Sequence, residues 1–259
     1  MNRIDQLFSQ KKNNILSVYF TAGFPERDDT VAIINELEAC GVDLIEIGMP
    51  FSDPLADGPV IQKSSQAALQ NGMSIKLLFE QLSGIRKKVN IPLILMGYIN
   101  PVLRYGVERF CQQAAETGID GIILPDLPLY EYNVLYRKYF EVNGLHNILL
   151  ITPQTSDERV KAIDQDGSGF IYMVSSSATT GAKSEIAAGQ EQYFKRIAAL
   201  PLTKPKLIGF GISSHETFTK ACRYAHGAII GSAFIRALEG EGSLKERIRG
   251  FVKMVRGEH

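Results

Sequence analysis

Residues 42–60 read Val-Asp-Leu-Ile-Glu-Ile-Gly-Met-Pro-Phe-Ser-Asp-Pro-Leu-Ala-Asp-Gly-Pro-Val. The stretch opens as a short apolar strand, Val42 to Ile47, and breaks at Gly48 and Pro50 into a loop with Asp53 and Asp57. Side chains alternate along a strand, so Leu44 and Glu46 share one face while Ile45 and Ile47 share the other. If both faces are covered, Glu46 is a carboxyl inside a closed interior. Such a group is costly to ionise without a partner, so its presence asks for a reason. Asp57, on the following loop, can fold back over the same opening. Two carboxyls at the C-terminal mouth of a strand suit general acid–base chemistry.

Seven further segments resemble this strand. The eight predicted strands are Ile15–Thr21, Val42–Ile47, Ile91–Tyr98, Ile119–Leu124, Asn147–Thr152, Gly169–Val174, Lys206–Gly209 and Ala228–Gly231. They are short, rich in Ile, Leu and Val, and apolar on both faces, as covered parallel strands should be. Helical patterns follow them, including Val60–Gln70, Ser74–Lys88, Val107–Thr117, Tyr130–Asn143, Asp157–Gln165 and Gln190–Ala199. Eight βα units in one chain predict a (β/α)8 TIM barrel, an α/β fold spanning 1–259 as a single domain. An N-terminal helix within Met1–Asn14 and a short helix from Ser232 are extra to the eight units. A doubly wound open sheet has the same pattern. Against it, the first βα turn, Thr-Ala-Gly-Phe-Pro, is not a dinucleotide fingerprint. Residues 175–189 lack periodicity and read as a long polar loop, of a kind that is usually functional or disordered.

Composition narrows the function. Lys and Arg together number 28, as do Asp and Glu, so there is no electrostatic footprint for nucleic acid or an anionic membrane. No apolar stretch is long enough to span a bilayer, and the N-terminus lacks the features of a signal peptide. Cys40, Cys111 and Cys222 are far apart and odd in number, which reads as reduced thiols of a cytoplasmic protein. The four histidines show no metal-ligand spacing.

In a barrel, the loops after the strands share one face, and the candidate residues collect there. Glu46 ends the second strand and Asp57 lies in its loop. Tyr172, on the face of Phe170, points inward from the sixth strand, and Thr180 and Gly181 follow it. Gly211 follows the seventh strand; Gly231 and Ser232 follow the eighth and open a helix. Loops of this kind offer free backbone N–H groups and the positive end of a helix dipole, which suits phosphate. Each reading has a plainer rival. Glu46 could be a structural ion-pair partner, Asp57 a turn residue, Tyr172 core filling, and the glycines mere strand-end turns. Mg²⁺ held by Glu46, Asp53 and Asp57 is disfavoured, because Pro54 and Pro59 restrict the loop and no further oxygen ligands cluster nearby.

The run from Leu44 to Gln62 resembles the signature of the tryptophan synthase α subunit family. Tyr-Phe-Thr-Ala-Gly-Phe-Pro at 19–25, Tyr98-Ile-Asn, Pro-Asp-Leu-Pro at 125–128, Thr179-Thr-Gly-Ala, Gly-Phe-Gly-Ile-Ser at 209–213 and Gly-Ser-Ala at 231–233 extend the resemblance along the chain. Residues 175–181 depart from it, reading Ser-Ser-Ser-Ala-Thr-Thr-Gly where the family more often has an arginine and a glycine before its Thr-Gly. The resemblance implies a lyase that cleaves indole-3-glycerol phosphate to indole and glyceraldehyde 3-phosphate by a retro-aldol step. Glu46 and Asp57 would be catalytic. Leu55, Ile61, Tyr98, Leu124 and Phe210 would wall the indole pocket with Tyr172. Thr180 would hydrogen-bond Asp57, and Gly181, Gly211, Gly231 and Ser232 would hold phosphate. No cofactor is implied for this chain; pyridoxal phosphate is expected only on a partner β subunit in an α2β2 assembly. A sugar-phosphate isomerase or epimerase would share the glycine cradle but has no need of the Asp57 loop.

Overall fold

The computed structural model describes residues 1–175, 183–209 and 211–258. Among these residues nine parallel strands form one sheet: β1 Ile15–Thr21, β2 Leu44–Gly48, β3 Leu93–Met96, β4 Gly121–Ile123, β5 His146–Asn147, β6 Leu149–Ile151, β7 Ile171–Val174, β8 Lys206–Gly209 and β9 Gly227–Ile230. Their order is β5-β4-β3-β2-β1-β9-β8-β7-β6. The two ends of that list are one strand interrupted at Ile148. Its first part pairs β4 and its second pairs β7, so a single segment closes the ring. The predicted fifth strand was one piece. It is divided because it changes partners partway along, with the Ile148 N–H still bonded to the Ile122 carbonyl at 3.0 Å.

The (β/α)8 barrel is therefore the fold, and the open doubly wound sheet is not. β1 and β2 are buried at every position, as expected of strands covered on both faces. Register sets Tyr19 against Glu46 and Thr21 against Gly48. On the opposite side, Tyr172 pairs Leu207 and Val174 pairs Gly209. A Cβ on Gly48 would overlap the Tyr19 hydroxyl, and one on Gly209 would overlap that of Tyr172. Each glycine thus makes room for a tyrosine on the neighbouring strand.

The N-terminal helix, Arg3–Gln10, starts at Asn2, whose side chain accepts from the Ile4 N–H. Ile4 and Phe8 are buried, and Phe8 packs on Phe170 at 5.8 Å. The helix closes the N-terminal end of the barrel around Asp120, which takes Arg3 at 3.0 Å, Arg86 at 2.5 Å and the Leu93 N–H at 2.9 Å. With that end sealed, access is from the C-terminal mouth.

Three helical expectations are corrected. Ile99–Tyr105 is a helix where none was expected; Pro101 sits in the first turn, where its missing N–H costs nothing. Ser74–Lys88 is cut at Leu82 by Gly84, at φ 77°, before a short 3-10 turn. The helix before β8 begins at Lys183, so residues 183–189 are helical, not loop. Their alanines, glutamate and lysine are good helix formers, and the weak amphipathic pattern concealed them.

Candidate active site

Glu46 is fully buried in the middle of β2. The Ser17 hydroxyl of β1 donates to its Oε1 at 3.1 Å, and its Oε2 has no partner among the described residues. Burial outweighs that one hydrogen bond and pushes the carboxyl up to about 8. At neutral pH Glu46 is therefore an acid holding its proton, and among the described residues no lysine or arginine neutralises it. The ion-pair reading of Glu46 falls on that ground.

Asp57 is half-buried on the loop beyond β2. Its own N–H bonds the Pro54 carbonyl at 3.0 Å, and its carbonyl accepts from Gln62 at 2.9 Å. Tyr98 donates to Asp57 Oδ2 at 2.9 Å and accepts from the Ala56 N–H at 3.0 Å. The Tyr98 ring packs on Phe51 at 5.3 Å. The loop is thus tied to the end of β3 by one phenol. Burial raises the Asp57 carboxyl to about 6, against the pull of Tyr98. It is largely ionised where Glu46 is largely protonated. Both carboxyls also act, behind burial, to raise the phenols of Tyr19 and Tyr172, which places the four groups in one electrostatic neighbourhood.

A cavity of about 220 Å³ opens at the mouth beside these groups. Tyr19, Asp57, Ile61, Met96, Tyr172 and Ile229 line one part; Gly211, Ile212, Ser213, Gly231, Ser232, Ala233 and Arg236 line the rest. Gly211 has φ 72°, a conformation that favours glycine. Gly231 precedes the helix Ser232–Leu238, whose first N–H groups have no acceptor within the helix. One part of the cavity is apolar with two carboxyls near it; the other is a pair of turns with free donors and a guanidinium.

Six expected residues line the cavity: Asp57, Ile61, Tyr172, Gly211, Gly231 and Ser232. Glu46 is buried behind the wall, within electrostatic reach of the lining Tyr19 and Tyr172. Thr180, Gly181 and Phe210 lie outside the described residues. Leu55 does not join the wall: it is 92% exposed, because the turn from Asp53 to Asp57 aims it at solvent. Leu124 is buried beside a separate hollow near Pro125 and Leu149, not among the residues lining this cavity. Tyr98 is more than an apolar wall, since its hydroxyl positions Asp57. Ser17 and Tyr19 were missed: parity puts them on one face of their strand, but only the register with Leu44 and Glu46 brings them to the carboxyl. Arg236 had no signal beyond lying one helical turn from Ser232. Among the described residues no cluster of His, Cys, Asp or Glu could hold a metal ion. No described helix is long and apolar enough to cross a membrane.

Comparison with known proteins adds a family. The model of the tryptophan synthase alpha chain family matches residues 5–257. The tryptophan synthase alpha chain of Christiangramia forsetii is 57% identical over 256 residues, covering 99% of both chains. That of Flavobacterium johnsoniae is 58% identical over 256 residues, covering 99% of this chain and 100% of its own. Among solved structures, the subunit alpha of Legionella pneumophila superposes with a TM-score of 0.86 at 35% identity, over 99% of this chain and 98% of that one. The tryptophan synthase of M. tuberculosis in its aminoacrylate-bound form gives 0.85 at 30% identity, over 98% of each chain.

Proposed function

The chain belongs to the tryptophan synthase alpha chain family, and from that premise we infer that Glu46 and Asp57 are its catalytic pair. The reaction of the family is the cleavage of indole-3-glycerol phosphate to indole and glyceraldehyde 3-phosphate. The observation that carries the assignment is the split in protonation between two neighbouring carboxyls, Glu46 up at about 8 and Asp57 at about 6.

Protonated Glu46 gives its proton to carbon 3 of the indole ring. Positive charge then develops on the ring nitrogen, whose N–H donates to ionised Asp57; the carboxylate stabilises the charge where it forms. Glu46, now a carboxylate, takes the proton of the side-chain hydroxyl next to the ring. The electron pair left on that oxygen forms the aldehyde carbonyl, and the carbon–carbon bond breaks toward the ring. The ring nitrogen recovers its electrons and indole leaves. Glu46 ends protonated, so the cycle closes. Ile61, Met96 and Tyr172 supply the apolar surface for the ring, and the turns at Gly211 and Gly231–Ser232 hold the phosphate. In this reading Thr180 hydrogen-bonds Asp57 and Gly181 helps to hold the phosphate.

These steps ask no cofactor of this chain. The β subunit, with its own pyridoxal phosphate, is the partner, in an α2β2 assembly in the cytoplasm. It docks at the mouth, where Asp53-Pro54 and the Pro125–Pro128 loop lie. An indole-release assay on the purified chain, with and without a β subunit, tests the assignment. Indole release, stimulated by the partner, is expected. No release under either condition overturns it. The isomerase or epimerase reading is the weaker one, since it leaves the anchored Asp57 loop without a purpose.

A further inference from the structure

Tyr19 lines the cavity and has no part in the steps given to Glu46 and Asp57. Its ring bridges the two parts of the site. A Cβ on Gly231 would come to 3.4 Å from Tyr19 Cδ1, so the ring edge lies against the end of β9, where the phosphate turn begins. A Cβ on Gly48 would overlap its hydroxyl, so Oη lies at the end of β2, two residues beyond Glu46. The residue is 7% exposed, and buried phenols ordinarily use their hydroxyl. Thr21 interacts with it, but the Thr21 hydroxyl is itself bonded to Ser64 at 2.7 Å. A phenol both donates and accepts, so capacity toward the cavity remains.

A substrate held by its phosphate at Gly231 and by its ring at Asp57 must pass its three-carbon chain over this ring. That chain carries two hydroxyls. Glu46 takes the proton of the one next to the indole, which leaves the middle one. We propose that Tyr19 Oη hydrogen-bonds the middle hydroxyl of the glycerol chain and so selects a hydroxylated chain. The inference rests on the reaction assigned to this site and adds a residue that recognises the linker between ring and phosphate.

Tyr19→Phe keeps the ring and removes only the oxygen. Two ligands are compared on wild type and variant: the substrate, and an analogue with both chain hydroxyls replaced by hydrogen, used as an inhibitor. The expected result is a loss of about 3- to 10-fold in kcat/KM for the substrate, the worth of one hydrogen bond between neutral groups, with unchanged inhibition by the analogue. Unchanged analogue binding also shows the cavity intact. Equal loss for both ligands overturns the proposal, since the effect is then on cavity shape. So does substrate turnover equal to wild type. A wild-type chain that binds the analogue but releases no indole overturns the reaction assignment instead, and this proposal with it.

Discussion

A carboxyl such as Glu46 ionises only at the expense of burial that a single serine hydroxyl does not offset. Catalysis needs it protonated and needs Asp57 ionised. Rate should therefore fall below about 6 as Asp57 takes a proton and above about 8 as Glu46 loses one. Asp57→Asn should cost about 100-fold or more in kcat by removing the charge opposite the ring nitrogen, and its residual activity should lack the acidic limb. A pH–kcat profile of the variant checks this; an acidic limb that persists would assign it to another group. The same shift has a stability sign. The folded pKa of Glu46 lies above its unfolded value of 4.5, so stability is full below 4.5 and is lost as pH rises toward about 8. Glu46→Gln escapes that loss. Thermal melts should show the variant gaining on wild type from pH 5 to pH 9, and a constant gap would mean that the carboxyl is not held protonated.

The strands carry the side chains by a period of two, which is why Glu46 was legible from its own strand. Parity along one strand is local; the register between strands is not. Ser17 and Tyr19 meet Glu46 only because β1 pairs β2 in the observed register, and nothing within either strand states it. The missed helix Ile99–Tyr105 and the early start at Lys183 have the opposite cause: the apolar periodicity there is weak, and only the backbone shows the helices. The loop from Asp53 to Asp57 was half legible. Its two acids stood out, but the turn that aims Leu55 outward depends on backbone bonds from Leu55 to Asp53 and from Asp57 to Pro54. At this scale the glycine–tyrosine pairs give a test. Gly48→Ala should cost roughly 1–3 kcal/mol by overlap with Tyr19, and combination with Tyr19→Phe should recover part of it. Gly250→Ala, mid-helix with open space around it, should instead gain roughly 0.5–1 kcal/mol. Urea denaturation of the four variants, with Tyr19→Phe alone completing the cycle, measures all of this; additivity at Gly48 and Tyr19 would deny the contact.

The molecule separates stability from chemistry by placing them at opposite ends of the barrel. At the closed end, the 3%-exposed Asp120 joins the N-terminal helix, Arg86 and β3. Asp120→Ala leaves a largely buried guanidinium unpaired and should cost about 3–5 kcal/mol, with kcat of the folded enzyme at low temperature near wild type. A large fall in kcat would contradict that separation. The eight βα units were legible because each repeats the same apolar strand and helical pattern. Closure was not, because it depends on one strand changing partners at Ile148, far from any signal in its own residues.

Everything assigned to the open end depends on Glu46 as the group that moves both protons. Glu46→Gln keeps the shape and the Ser17 contact but has no acidic proton to give. Indole release by the variant, measured beside calorimetric binding of the substrate, is the direct test. Release should fall by about 10²- to 10⁴-fold with affinity within a few-fold of wild type. Turnover within a few-fold of wild type would remove Glu46 from the mechanism.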